Sequence, residues 1–407
     1  MTLQKSGLSN ISLAAGLTLA AGFFVLFVGN GGRMAIGLTL RPMVADLNWD
    51  RAAVGAAVGV FQFASAICMF IAGRMSDRMS LRLVLCAGLA ICAVGIGAMM
   101  WITQPWQAIA LYGVVFGIGS GMASTIPVGV MVTRAFPGRT GLANSVALSG
   151  MCVGQLIIIA ILAAILLQAG WRSIFFWVGV AHLAVLPLIL ITAPGKPASG
   201  SSVAQPADGL TIRQAARTKP FWLLMGIYGV CGFNDFFVAA HVVAFAQDSG
   251  VDALLAGNLL ALMGLTGFMG VLWAGMAADR HSPVWPTLVA FFIRIAAFGL
   301  VLIDSSTVSV AVFALAFGLT FFMSAPPTVL FVRESFGMRH LGALTGLITM
   351  LHHAMGGLGA WMGAIAFDKS GSYAPAFFAM LVATLGATAL TLIYGRDRAR
   401  KRANATN

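Results

Sequence analysis

The sequence predicts an all-α integral membrane protein with twelve transmembrane helices in two pseudo-symmetric six-helix bundles. Of its 407 residues, 59% are hydrophobic and only 9% are charged, whereas a soluble domain has about 25% charged residues. Apolar runs of about 20 residues, each long enough to cross a bilayer, recur along the whole chain. A polar, flexible segment divides these runs into two groups of six, and short motifs repeat between the groups.

The twelve predicted helices are numbered in chain order, and they cover roughly 12–40, 52–73, 82–102, 106–133, 141–168, 172–193, 221–246, 253–277, 284–304, 308–331, 341–366 and 374–394. The long interruption begins Pro-Gly-Lys-Pro-Ala-Ser-Gly-Ser-Ser, a composition typical of a flexible linker. The predicted organisation is an N-terminal bundle, a cytoplasmic linker, a C-terminal bundle and a basic tail: 1–193, 194–219, 220–395 and 396–407.

The basic residues predict the orientation in the membrane. With the N-terminus inside, about 18 Lys and Arg lie in inner loops and tails and about four lie in outer loops. Positive charge concentrates on the cytoplasmic side, so both termini are expected there. This distribution also explains the net charge of +12 without nucleic acid. The first run is too long for a signal-peptide core, and the compact loops favour a bacterial inner membrane.

Several classes of function are excluded. The five cysteines lie within apolar runs and show no Cys-x-x-Cys or Cys/His spacing, so neither disulfides nor a metal site is predicted. No Walker A sequence is present, and no nucleophile–base pattern suggests an enzyme. We therefore expect no catalytic residues and no cofactor, and the energy for any work must come from an ion gradient or from exchange.

Motifs repeat between the two halves. Gly73-Arg-Met-Ser-Asp77-Arg78 follows helix 2, and Gly275-Met-Ala-Ala-Asp279-Arg280 follows helix 8, about 202 residues later. An internal repeat of six helices is typical of secondary transporters. Pro127 and Pro326-Pro327 occupy matching places in helices 4 and 10, where they predict kinks.

The pattern Gly73-x-x-x-Asp77-Arg78-x-x-x-Arg82 resembles the cytoplasmic signature of the major facilitator superfamily. The resemblance implies two bundles that rock around a central site, with helices 1, 4, 7 and 10 lining the cavity and 3, 6, 9 and 12 outside. It also implies a charge latch between helix ends in the outward-open state, formed by Gly73, Asp77, Arg78, Arg82, Asp279 and Arg280.

Other stretches resemble the monocarboxylate transporter and oxalate/formate antiporter branch. They are the stretch from Arg134 to Ala143, the pair Phe221-Trp222 and the stretch from Phe367 to Tyr373. A cationic residue near Arg33 in helix 1 also suits that group. One departure matters: animal monocarboxylate transporters carry an Asp and an Arg on helix 8, whereas helix 8 here has no charge before Asp279.

Arg33 is the first candidate binding residue. An arginine deep in a membrane-spanning run costs about 2.5 to 3.5 kcal/mol, so such a residue is expected to face a cavity or a partner. The repeat offset maps Arg33 onto Asp235 in helix 7. We expect Arg33 to hold a carboxylate through paired hydrogen bonds and Asp235 to bind the coupling proton. The alternatives are an inter-bundle ion pair that closes the cavity, or an Arg33 that snorkels to the interface.

Histidines and one further arginine are the other titratable candidates. His352 and His353 lie mid-way along helix 11, and adjacent residues on a helix point about 100° apart, so only one is expected to face the cavity. Either is a candidate for the proton, and His353 is also a candidate substrate ligand. His241 is a weaker candidate and His182 is expected to be structural. Arg294 in helix 9 is expected to pair with a group on helix 8 or 10, unless it binds substrate.

Neutral polar and aromatic side chains complete the predicted substrate site. Asn30 lies almost one turn before Arg33, and Asn234 lies beside Asp235. Hydroxyl donors and an aromatic wall residue are added from helices 4, 7 and 10: Tyr112, Tyr228 and Phe331.

These residues together predict a proton-coupled symporter of small monocarboxylates such as lactate or pyruvate, working by alternating access. The alternatives are an organic anion exchanger of the oxalate/formate type, which needs a second cation in the cavity, and a multidrug efflux pump. The expected partners are a small organic anion, a proton and the lipid bilayer, and the protein is expected to be a monomer. The sequence leaves the exact substrate, the direction of transport and the stoichiometry open.

Overall fold

The computed structural model describes residues 13–49, 51–193 and 208–406. Almost all of these residues are helical, and the long helices follow the predicted order. They are α1 Leu13–Leu47, α2 Arg51–Arg78, α3 Leu81–Gly97, α4 Pro105–Ala135, α5 140–169, α6 171–192, α7 Lys219–Asp248, α8 Ala253–Arg280, α9 Val284–Ile303, α10 Thr307–Phe336, α11 Leu341–Ser370 and α12 Ala374–Thr406. The prediction of an all-α fold with twelve long helices is confirmed.

Eleven helical segments among the described residues are long and apolar enough to cross a membrane. The remaining long helix, α11, has 30 residues, and the adjacent polar side chains His352 and His353 lower its mean hydropathy. This helix therefore carries two titratable residues near its middle.

Two helices are interrupted where proline requires it. In α4 the backbone leaves helical geometry at Ala123, four residues before Pro127, and in α10 it does so at Phe322, four residues before Pro326. A proline ring clashes with the carbonyl four residues earlier and removes a hydrogen-bond donor, so both helices break at these positions.

Gly170 separates α5 from α6. Its φ is 75° and its ψ is 174°, whereas the residues on both sides are helical. A residue with a side chain rarely adopts a positive φ, so glycine permits the tight reversal between the two helices. This boundary lies between the predicted runs 141–168 and 172–193.

The two halves use the same close helix pairs. In the first half α1 packs against α5, with Gly150 and Gly154 against the backbone of Phe23 and Phe27. In the second half α7 packs against α11, with Gly359 against the backbone of Phe233. Small residues let membrane helices approach closely, so glycines allow the corresponding helix pairs of both halves to pack closely.

Contacts between the halves are also symmetric. The helix pair α2–α11 brings Gly73 against Gly342, and the pair α5–α8 brings Gly141 against Gly275. The glycines of the two repeated motifs are therefore the points where the backbones of opposite halves approach each other. These crossings place α1, α5, α7 and α11 around the space between the halves.

The structure describes only part of the predicted linker and nearly all of the predicted C-terminal tail. Residues 194–207 of the predicted linker lie outside the described residues, and Leu210 beyond them donates its backbone N–H to Phe336 O at 2.8 Å. Helix α12 continues to Thr406, through most of the predicted tail. Ion pairs from α12 to Glu334 and Lys219, both at 2.8 Å, hold this extension against the second half.

Candidate functional site

A cavity of about 300 Å³ lies between the two halves. Helices α1, α4, α5, α7, α8, α10 and α11 contribute side chains to it. The resemblance implied α1, α4, α7 and α10. Helices α5, α8 and α11, three of the four helices that form the crossings between the halves, also line the cavity, whereas the fourth, α2, contributes no lining residue. The charged residues and histidines of the described lining are Arg33, Asp235, His352 and His353.

Arg33 in α1 is partly buried and has a neutral polar partner. Its Nη2 donates to Gln62 Oε1 at 2.8 Å. The rings of Phe61 in α2 and Phe236 in α7 lie 5.7 Å and 5.8 Å from the guanidinium carbon. Within the described chain Arg33 forms no ion pair, so its positive charge is held by a neutral amide and two aromatic faces.

Asp235 in α7 is only 3% exposed and has charged and polar partners. Its Oδ1 lies 2.7 Å from Arg294 Nη2, and its Oδ2 lies 3.2 Å from His352 Nε2. The thiol of Cys231, one turn earlier, also donates to Oδ2 at 3.5 Å. A buried carboxylate needs compensation of this kind, since isolated charge is strongly disfavoured away from water.

Arg294 reaches this carboxylate from α9, which contributes no lining residue. The side chain is completely buried. Its Nε donates to Thr320 Oγ1 at 3.0 Å and its Nη2 to Thr320 O at 3.0 Å, while the ring of Phe317 lies 4.7 Å from the guanidinium carbon. The sequence led us to expect a partner on α8 or α10, and Thr320 lies in α10, but the ionic partner is on α7.

Arg33 and Asp235, which were predicted to act together, therefore do not form an ion pair with each other in the structure. Both residues line the cavity, but the ion partners of Asp235 are Arg294 and His352. Arg294 is rigidly held by α10 behind α7, which explains why the carboxylate turns towards it.

Both central histidines line the cavity, whereas the sequence led us to expect one. His352 contacts Asp235, and His353 donates from Nδ1 to Thr349 O at 2.9 Å. The ring of Phe236 touches both, with centroid distances of 5.9 Å and 5.3 Å. The cavity spans enough of the circumference of α11 to include two residues about 100° apart.

The other two candidate histidines lie in packing positions. His241 bridges α7 to Tyr373, with Nδ1 at 3.2 Å from the hydroxyl, and to Ala360 O at 2.8 Å. His182 in α6 is completely buried and its Nδ1 lies 2.8 Å from Val178 O. Neither residue contributes to the cavity lining described above.

The neutral candidates separate into two groups. Asn30 and Tyr228 line the cavity, where Asn30 donates to Met151 O at 3.0 Å and the Tyr228 hydroxyl to Ser324 O at 3.1 Å. Tyr112, Asn234 and Phe331 are not lining residues.

Each of those three residues supports a helix contact instead. The hydroxyl of Tyr112 donates to Arg33 O at 2.9 Å, behind the guanidinium. Asn234 donates to Thr384 Oγ1 in α12 at 2.7 Å, because one residue of helical rotation from Asp235 points it away from the cavity. Phe331 packs on Tyr394 with ring centroids 5.0 Å apart.

Gln62, the hydrogen-bond partner of Arg33, was not predicted from the sequence. A single glutamine within the apolar run of α2 was the available signal, because an uncharged amide in a membrane helix also needs a polar partner. The hydroxyl of Thr345, which is 3% exposed and lines the cavity, was also missed, and its Oγ1 has no hydrogen-bond partner within the described residues.

One cluster has donor atoms suited to a metal ion. Cys231, Asp235 and His352 place a sulfur, an oxygen and a nitrogen within 4.8 Å of one another. However, Arg294 Nη1 donates to Cys231 Sγ at 3.4 Å and Nη2 pairs with Asp235 at 2.7 Å. A divalent cation would face a fixed guanidinium at two of its three ligands, so the cluster suits a proton better than a metal.

The predicted latch residues join the halves at one end of the molecule. Asp77 accepts from Gly342 N and Ala343 N, both at 2.9 Å. Asp279 accepts from Gly141 N and Leu142 N, both at 2.7 Å. Each carboxylate therefore caps the first turn of a helix in the opposite half, where free N–H groups and the helix dipole favour negative charge.

The basic residues of the motifs have different positions. Arg82 Nε donates to Ala193 O at 3.0 Å within its own half, while Arg78 and Arg280 are exposed. Arg333, outside the predicted latch, joins the halves by donating to Pro137 O at 3.0 Å and Thr140 Oγ1 at 2.7 Å. The carboxylates and Arg333 close this end, while the cavity remains between the halves.

Comparison with known proteins agrees with this architecture. Residues 22–360 match the family model described as Major Facilitator Superfamily. The chain is 26% identical to the "Uncharacterized MFS-type transporter YcxA" of Bacillus subtilis (strain 168), covering 86% of this chain and 88% of that protein. It is 24% identical to "Monocarboxylate transporter 13" of Rattus norvegicus, covering 87% and 79%.

The fold also matches a solved transporter. The crystal structure of the MFS transporter FucP in the outward conformation superposes with a TM-score of 0.73, at 15% identity, over 94% of this chain and 99% of that one. Together with the family match over most of its length, the repeated motifs and the central cavity, this identifies the chain as a member of the Major Facilitator Superfamily of membrane transporters.

Proposed function

We propose that this transporter carries small monocarboxylates together with a proton, by alternating access between two halves. The observation that carries the proposal is the charge balance of the cavity. Asp235 is compensated by Arg294 at 2.7 Å, whereas Arg33 has no ion pair within the described chain and lines the cavity. One carboxylate would complete this balance.

The type of anion follows from the side chains around Arg33. A guanidinium forms two parallel hydrogen bonds with a carboxylate, and one edge of Arg33 is already held by Gln62. Much of the remaining lining is apolar and includes Met34, Met151, Met263 and Phe321. This combination favours one carboxylate attached to an apolar body over a dianion.

The proposed coupling to protons depends on the second half. His352 and Asp235 share a contact in the cavity wall, and imidazole changes its charge close to neutral pH. A proton bound there can be transported together with the anion. The positive charge of the proton then balances the negative charge of the carboxylate, so binding both leaves the net charge of the transporter unchanged. The name of the rat relative, a monocarboxylate transporter, supports the substrate class but stands at only 24% identity.

The alternating-access step rests on the helix-end contacts. In the present conformation Asp77 and Asp279 bind helix N-termini of the opposite half, and these contacts must break before the cavity can open at that end. The Lys and Arg distribution supports a cytoplasmic location for this end and for both termini. We propose that the protein resides in a bacterial inner membrane as a monomer.

An anion exchanger of the oxalate/formate type would need a second uncompensated cation in the cavity. The two candidates for this second cation are Arg294 and His353. Arg294 is paired with Asp235, which argues against exchange of a dianion, whereas His353 lines the cavity and keeps exchange as the second candidate function. Counterflow of an unlabelled acid against a labelled one, in the absence of a proton gradient, measures exchange directly.

The deciding experiment is uptake of labelled lactate into proteoliposomes with and without an inward proton gradient, with unlabelled carboxylates of increasing size as competitors. Gradient-driven accumulation that monocarboxylates block, and that Arg33→Ala abolishes, supports the proposal. Empty liposomes and the loop variant His281→Gln are the controls. If no carboxylate is taken up or competes, the anion proposal is refuted and efflux of uncharged or cationic compounds becomes the leading alternative.

A further inference from the structure

Two amide side chains, Asn30 of α1 and Gln155 of α5, line the cavity and contact each other. Asn30 donates from Nδ2 to Met151 O at 3.0 Å, and the same Nδ2 lies 3.4 Å from Gln155 Oε1. A backbone carbonyl can only accept hydrogen bonds, so the atom of Asn30 that faces it is the nitrogen. The atom of Gln155 that faces this nitrogen is therefore the oxygen.

These contacts leave one acceptor and one donor of the amide pair free. They are Asn30 Oδ1 and Gln155 Nε2, and neither forms a hydrogen bond within the described residues. Unlike the hydroxyl of Thr345, neither atom is enclosed by protein, and both residues line the cavity. The pair therefore offers a ligand an acceptor and a donor on adjacent side chains.

The amide pair lies within reach of the proposed carboxylate site. Asn30 precedes Arg33 by three residues on α1, and residues three apart on a helix have Cβ atoms about 5–6 Å apart. Arg33 also lines the cavity, and its Nη2 is held by Gln62 at 2.8 Å. A carboxylate on the guanidinium would bring the groups on its neighbouring carbon close to the amide pair.

We propose that Asn30 and Gln155 recognise a hydroxyl group next to the substrate carboxylate, so that the preferred substrates are 2-hydroxy monocarboxylates. A hydroxyl is both a donor and an acceptor. It can donate to Asn30 Oδ1 while it accepts from Gln155 Nε2. The inference rests on the proposed function in taking Arg33 to hold a carboxylate, and it makes Gln155 a specificity-determining residue.

The two free groups rank related acids by the number of hydrogen bonds that each acid can form. The oxo group of a 2-oxo acid such as pyruvate accepts from Gln155 but offers no hydrogen to Asn30. An unsubstituted acid such as propionate displaces water from both groups without replacing its hydrogen bonds, which is unfavourable. All three acids carry one negative charge at neutral pH, so the charge of Arg33 does not distinguish them. The expected order of affinity is lactate, pyruvate, propionate.

Equilibrium binding of labelled lactate and labelled propionate to the purified full chain in detergent, with unlabelled pyruvate as competitor, tests the inference. No acid has to cross a membrane in this assay. Since each hydrogen bond between neutral groups typically contributes a factor of about two to ten, we expect wild type to bind lactate about tenfold and pyruvate about threefold more tightly than propionate. The control Gln247→Met, at an exposed glutamine near the end of α7, should keep this order.

Gln155→Met removes the free donor and keeps the approximate length of the side chain. It should lower the affinity for pyruvate to that for propionate and reduce the advantage of lactate over propionate to about threefold, while the binding of propionate stays unchanged. An equal loss for all three acids would show that Gln155 acts through packing, and would overturn the inference.

The comparison of acids on wild type decides the inference even where Gln155→Met fails to fold. Wild type that binds propionate as tightly as lactate would overturn the inference but leave the proposed function standing, because both acids are monocarboxylates. Wild type that binds neither labelled acid would refute the proposed function and the inference together.

Discussion

Arg33 in α1 and Asp235 in α7 occupy equivalent positions of the two halves, but their surroundings differ. Arg33 is partly exposed, bonded to the neutral Gln62 and flanked by two aromatic rings. Asp235 is almost fully buried and contacts Arg294, His352 and Cys231. The first half thus presents an uncompensated charge to the cavity, while the second half neutralises its charge internally.

At the closed end of the molecule, by contrast, the two halves have equivalent surroundings. Asp77 and Asp279 make the same pair of backbone contacts, each to the first turn of a helix in the other half. Symmetry is therefore retained where the halves must separate and rejoin, and it is lost at the centre where one ligand must be distinguished from another. A single small anion has no twofold symmetry, so equivalent charges on both sides would not improve its binding.

The strongest test of this contrast removes the buried cation. Arg294→Met should lower the free energy of unfolding by about 3–5 kcal/mol, because it leaves the buried carboxylate of Asp235 uncompensated. Thermal unfolding in detergent measures the loss. The same substitution at the other arginine, Arg33→Met, should lower the melting temperature far less. Adding Asp235→Asn to Arg294→Met should recover part of the stability, and equal losses for the two single variants would contradict the contrast.

The next effect concerns transport. Arg33→Ala should reduce uptake of a labelled carboxylate about tenfold or more, since hydrogen bonds to charged groups contribute about 1.5–3 kcal/mol. Arg33→Lys should keep part of the activity, because it retains the charge without the paired geometry. Uptake into proteoliposomes at fixed protein density gives both numbers, and full activity of Arg33→Ala would place the anion site elsewhere.

The symmetric contacts at the closed end predict that substitutions of the two carboxylates have equal effects on the opening of that end. Asp77→Asn and Asp279→Asn should each shift the equilibrium towards the open end by about 0.5–2 kcal/mol, the range of helix-capping contributions. Electron–electron distance measurements between spin labels at Gly138 and His281, two exposed loop positions of opposite halves, follow the separation. A large shift for one variant and none for the other would show that the two contacts are not equivalent.

The smallest effect is expected at the opposite end of the first half. Arg172 hydrogen-bonds to Asp46, and Trp171 Nε1 donates to it at 3.1 Å, which lowers the pKa of the Asp46 carboxyl below its ordinary value. A lowered folded-state pKa contributes stability above the unfolded value of about 3.9, and this contribution disappears as the pH falls through the lowered pKa.

Asp46→Asn should therefore cost a little stability at pH 7 and nothing at a pH below the lowered pKa. Melting curves of wild type and variant across pH 3 to 7 measure the difference. A gap that persists at the lowest pH would mean that the contact acts through packing rather than charge. In the second half, His241 joins α7 to Tyr373, with Nδ1 3.2 Å from the hydroxyl.

Particular residues show how far sequence reasoning could reach. Arg33 was predicted because an arginine within an apolar run needs a partner or a cavity. Asp235 was predicted because the repeat offset maps Arg33 of the first half onto it in the second half. The ionic partner of Asp235 was not found, because Arg294 lies on a helix that contributes nothing to the cavity lining. Asn234 and Asp235 are neighbours in sequence, yet only Asp235 lines the cavity, since the rotation of α7 about its own axis separates them.

The sequence by itself determined the membrane class, the twelve helices, the repeat and the helix-end motifs. Only the tertiary structure decided which charges meet and which remain free. The physical reason is that lipid is as apolar as the interior of a helix bundle. A membrane helix is therefore apolar on all sides, and its periodicity does not reveal which face points to the cavity. Packing sets that rotation, and with it the pairing of Asp235 with Arg294 and the exposure of Arg33.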